Sequence, residues 1–203
     1  EGKNNFDHKI NEEEYTTERT ISTFRGSPLR NKTTLGVAEN EPKKMVPGWS
    51  YQTDVSSWGG GSGWTGQPLY MEWPKETTKH LAVYESFKGE QLNELIQGSL
   101  DGKVYFFEAE TGELTRDPID LGNPIKGTPS LDPRGWPLLV VGDGIDEQRA
   151  MRLNFIDLTS NEVIHTIKGN DPLAIRNWGA FDGSPLISKE TDTLVTAGEN
   201  GLI

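Results

Sequence analysis

Three groups of residues in this chain have the chemistry to bind or react. Trp58 and Trp64 flank the run Gly59-Gly60-Gly61-Ser62-Gly63, and Trp178 stands shortly before Gly183. Indole faces beside a flexible loop can form a platform for a sugar, a peptide or a quinone; packing between repeated units is the other use of the same residues. Arg25 and Arg30 bracket Gly26-Ser27-Pro28, Arg176 precedes Trp178, and Asp182 directly precedes Gly183. Guanidinium groups suit two-pronged recognition of carboxylates, so an Arg–Asp pair around a concave mouth is expected. The candidate ligand-binding set is therefore Arg25, Trp58, Trp64, Arg176, Trp178 and Asp182. Gly142-Asp143-Gly144-Ile145-Asp146-Glu147 makes Asp143 and Asp146 the candidate metal ligands, although the spacing is not that of an EF-hand. The alternative for this stretch is an exposed acidic hairpin.

Other chemistries find no support. The glycine run lacks the Lys-Ser/Thr ending of a phosphate-binding loop and is not a dinucleotide fingerprint. His8, His80 and His165 have no ligand-spaced partners. Ser27, Ser62 and Ser184 lack a nucleophile-elbow motif. The chain contains no Cys, which removes disulfides, thiolate catalysis and thiolate metal sites. Glycosidase chemistry needs two facing carboxylates, and the sequence gives no way to pair them. No catalytic residue is assigned.

The formal net charge of -11 makes nucleic acid and anionic membranes poor partners, because both require a basic footprint. No apolar run approaches the roughly 20 residues that span a bilayer. The first residue is Glu1 rather than Met, which fits a processed leader.

The elements that must position these residues are short strands. Residues 1–20 are polar, without a sustained period, and read as a flexible arm. From 21 to 203 no stretch holds a 3.6-residue period, so the class is all-β. Strands are expected at 49–53, 80–87, 103–107, 136–141, 151–158, 162–167 and 194–197. Asp101-Gly102 reads as a two-residue hairpin turn. A small-residue opening recurs before a strand at Gly26-Ser27-Pro28, Gly66-Gln67-Pro68, Gly127-Thr128-Pro129 and Gly183-Ser184-Pro185, the last three 61 and 56 residues apart. Residues 107–114 match 156–163, at an offset of 49. A period near 50 with four strands per unit points to the four-stranded antiparallel blades of a β-propeller. The expected units are 21–60, 61–122, 123–178 and an incomplete 179–203. About three blades are expected, the ring being completed by a second fragment, a partner or the remainder of a longer polypeptide.

Asp101-Gly102-Lys103-Val104-Tyr105 followed by Glu110-Thr111-Gly112-Glu113-Leu114 resembles the repeat of the quinoprotein-like, or PQQ-like, β-propellers. The match is best over 98–114 and weaker at 151–163 and 198–203. The resemblance implies a ring of seven or eight blades and a secreted, periplasmic or cell-surface location. In the true dehydrogenases of that superfamily a quinone on the axis stacks on Trp beneath a vicinal Cys pair, with calcium held by carboxylate and amide groups. This chain lacks the Cys pair and shows no such ligand motif, so neither PQQ nor calcium is predicted. It is more similar to the non-catalytic members, which implies a binding or assembly scaffold for a protein or glycan. A quinoprotein oxidoreductase, or another propeller enzyme acting on a small molecule or glycan, is the alternative.

Overall fold

The computed structural model describes residues 20–26, 30–31, 40, 43–62 and 66–203. The arm expected at 1–20 therefore lies almost wholly outside the described residues, as does Trp64.

Among the described residues twelve strands form four antiparallel sheets, with almost no helix. Val55–Ser56 (β1) and Gly59–Gly60 (β2) make a two-stranded ribbon. The first large sheet is a meander of Leu69–Trp73 (β3), Leu92–Gly98 (β4), Lys103–Glu108 (β5) and Ile119–Asp120 (β6). The second repeats it with Ser130–Leu131 (β7), Leu138–Gly142 (β8), Arg152–Asp157 (β9) and Glu162–Lys168 (β10). Leu186–Ser188 (β11) and Thr193–Val195 (β12) form a third, two-stranded sheet. Residues 21–60, expected as a unit of their own, contribute only β1, β2 and an isolated bridge to strand structure among the described residues.

The period-2 rule explains how the sheets stack. On β4, Leu92 and Ile96 point to one face, where they meet Val104 and Phe106 of β5 and Leu139, Val141 and Ile156 of the second sheet in one core. Val140 and Leu153 point the other way, into a second core with Phe181 and Ile187. The second sheet is therefore covered on both faces, and β8 reads as an unbroken apolar run. The far face of the first sheet is covered by residues 49–54. Trp49 and Tyr51 lie against Phe107, with ring centroids 5.2 and 5.0 Å away, and Trp49 Nε1 donates to Ala109 O.

Three local expectations change. Residues 80–87 are not a strand: Lys75–Thr78 forms one helical turn and Glu85–Phe87 a 3-10 turn. Leu81 and Val83 are buried, but their neighbours bond to two different segments, Ala82 N to Leu158 O and Tyr84 N to Thr115 O. Residues 49–53 alternate without joining a ladder, because they serve as the aromatic cover. The β4–β5 connection is four residues long, with Gly102 at φ 86 and Asp101 Oδ1 accepting from Lys103 N.

A buried ion pair ties the first two sheets together. Glu94 on β4 and Arg116 have essentially no exposed side-chain surface. Arg116 Nη2 donates to both Glu94 oxygens, at 2.8 and 3.0 Å, and Trp73 Nε1 adds a third bond at 2.8 Å. The guanidinium lies 4.4 Å from the Phe106 ring centroid and reaches across to Asn161 Oδ1 and Leu158 O of the second sheet. Removing one member of such a pair strands a buried charge. Arg116→Ala is expected to lower stability by about 3–5 kcal/mol, read from the urea unfolding midpoint.

Candidate functional site

The three small-residue openings sit in the same place. Each glycine stands three residues before a strand: Gly66 before β3, Gly127 before β7 and Gly183 before β11. They also pack on one another in order. A Cβ at Gly66 would lie 2.9 Å from Lys126 O, and one at Gly127 would lie 2.6 Å from Asp182 O. Only glycine allows backbones this close. Gln67 N donates to Thr128 Oγ1 at 2.9 Å, and Ser130 Oγ donates to Pro185 O at 2.6 Å, so each opening is also bonded to its successor.

Residues 20–26 lie across the inner strands of all three sheets. Ile21 exchanges backbone bonds with Tyr70 of β3, Ser22 O accepts from Leu131 N of β7, and Thr23 Oγ1 donates to Pro185 O beside β11. Arg25, at φ 56, is exposed, and its backbone N–H donates to Gln67 Oε1. Arg30 donates to Phe24 O and Ser184 O. The convergence of inner strands is thus a polar mouth spanned by one segment.

Asp182 reaches this mouth, but not as the partner of an arginine. Lys126 Nζ lies 2.5 Å from Asp182 Oδ2, each side chain being 20% exposed. Lys126 precedes Gly127 as Asp182 precedes Gly183, so the pair joins equivalent positions of successive units. Asp182 Oδ1 lies over Gly144, where a Cβ would meet it at 2.6 Å. Burial pushes the Asp182 carboxyl above its ordinary range, outweighing the lowering by Lys126, and Glu199 raises it further.

The other candidates are dispersed. Trp58 is 60% exposed at the tip of the β1–β2 ribbon. Arg176 lines a cleft of about 350 Å³ with Asp171 and Asn177, while Trp178 is half-buried on the approach to Gly183. Asp143 is fully buried rather than in an exposed hairpin. It accepts from Asn123 Nδ2, Asn154 Nδ2, Arg152 N and the Arg149 guanidinium, which engages both of its oxygens. Asp146 is exposed. Among the described residues no group of three or more His, Asp or Glu is arranged to hold a metal ion.

No family model, curated protein or solved structure matches the chain. The geometry of the openings is what bears on function. Lys126 and Gln67 were missed in the sequence, although the repeat register that aligns Gly127 with Gly183 also aligns Lys126 with Asp182.

Two outcomes are expected. Gly127→Ala forces the second and third openings apart and lowers stability by about 1–3 kcal/mol, measured by thermal unfolding. A raised Asp182 pKa means that the folded state holds the proton more tightly than the unfolded chain. Its contribution is therefore full below the ordinary carboxylate pKa of about 4 and is lost as pH rises through the raised value. Urea unfolding of wild type and Asp182→Asn across that window should show wild type losing ground to the variant as pH rises.

Proposed function

We propose that the chain forms part of a quinoprotein-like β-propeller that acts outside the cytoplasm as a non-catalytic binding or assembly scaffold. The observation that carries this is the register of the openings: equivalent glycines of successive meanders pack one upon the next, as blades do around an axis. Two four-stranded meanders in sequence order, the second buried on both faces, support the same reading. The two-stranded third sheet leaves Val195 of its β12 edge 52% exposed. Two further strands of the same ring, or of a partner fragment, would complete it.

The scaffold role is supported by how the charged groups are used. The buried carboxylates of Glu94, Asp132 and Asp143 are each closed by an arginine. Such groups brace the frame, while the loops and the mouth display Trp58, Arg25 and the Lys126–Asp182 pair.

Negative-stain electron microscopy of the natural full-length protein tests the architecture, and a disc with a central axis is the expected particle. Dye-linked oxidation assays with PQQ and calcium over a panel of alcohols test the role. No turnover is expected; PQQ-dependent dye reduction would replace the scaffold with the oxidoreductase.

A further inference from the structure

A second polar site lies away from the mouth, in the cleft between the first and second sheets. It has a volume of about 400 Å³ and is walled by Asp120, Leu121, Arg149, Arg152, Asn154 and Val163. Its two arginines are in different states. Arg149 is fully engaged: it binds Asp143, donates to Leu121 O at 2.6 Å and reaches Asn154 Oδ1. Arg152 makes no side-chain hydrogen bond or ion pair among the described residues, and its Nε is buried without a partner. Native structures rarely leave a buried donor unpaired.

The position of Arg152 follows from β9. Residues 152, 154 and 156 share one strand face, and Ile156 packs into the core between the first two sheets. Arg152 therefore stands at the end of that face, where the core gives way to the cleft. Gln148 lies over Gly122, at φ 78, where a Cβ would sit 2.9 Å from its amide oxygen. The Gln148 side chain makes no hydrogen bond among the described residues and borders the same cleft.

We propose that this cleft binds a small organic monocarboxylate, gripped in two-pronged fashion by the Nε–H edge of Arg152. A guanidinium offers two parallel N–H groups along that edge, matched to the two oxygens of a carboxylate. Gln148 supplies a further polar group, and Leu121 and Val163 supply apolar wall for the organic body. Asp120 on the rim and the net charge of -11 select a single negative charge over a phosphate dianion. The Asp120 carboxylate is itself turned inward, accepting from Gly122 N at 2.8 Å. The site is independent of the inner-strand mouth and of the propeller reading.

The test is an NMR titration of the whole chain with acetate, glucuronate, glucose and inorganic phosphate, following the Arg152 Nε–H and Gly122 amide resonances. Acetate and glucuronate should shift both saturably, with phosphate weaker and glucose silent. Arg152→Gln should stay folded, since its side chain bonds to nothing in the chain, and weaken the carboxylates at least tenfold. Arg152→Lys, which keeps the charge without the fork, should fall between the two. A linear, non-saturating response overturns the proposal, as does a saturable Gly122 shift that survives Arg152→Gln. Phosphate binding more tightly than the carboxylates overturns the choice of ligand.

Discussion

Three β-meanders converge at their inner ends, and that convergence constrains everything outward of it. Backbones that meet within van der Waals distance leave no volume for side chains, so Gly66 and Gly127 fall where their successors' carbonyl groups lie. Once the inner ends are fixed, the sheets splay, and the growing gap between them must be filled. Leu139, Val141 and Ile156 fill it on one side of the second sheet, and Val140 and Leu153 on the other. The strongest apolar character is therefore found in the sheet with two neighbours.

Polar groups within that stack act as cross-ties. The Glu94–Arg116 pair spans the first and second sheets, and Asp143, with Asn123, Arg149 and Asn154, holds the loops between the same sheets further along. Buried ion pairs add less net stability than apolar residues of equal volume. What they add here is register, because a fork such as Arg116 against Glu94 accepts only one alignment of the two sheets. The Lys126–Asp182 pair does the same between the second and third units, at a place where solvent still reaches.

Much of this was legible in the sequence, and the parts that were not have physical reasons. The continuous apolar run of β8, the alternation of β9 and β10 and the glycine openings announced the meanders. Residues 80–87 mimic a strand because one-sided burial of Leu81 and Val83 produces the same alternation as a ladder. Trp49 and Tyr51 mimic one for a related reason, alternating to cover Phe107 without pairing. Asp143 looked exposed because its partners Asn123, Arg149 and Asn154 become neighbours only when the chain folds. The Arg–Asp pairing expected at the mouth failed on identity alone: the register was right, but the cation in it is Lys126.

The segment 20–26 touches the inner strands of all three sheets, and its partners are widely spaced along the chain. Thr23 bonds to Ser130, 107 residues on, and to the carbonyl of Pro185, 162 residues on. Ribosomes add about 5–20 residues per second, so roughly 8–30 seconds separate the synthesis of Thr23 from that of its last partner. The early segment must wait, unsatisfied, while the sheets assemble behind it from contacts that are mostly local. Its docking is a late event that reports completion: a chain whose third unit misfolds leaves this segment loose, and with it a handle for proteases and chaperones.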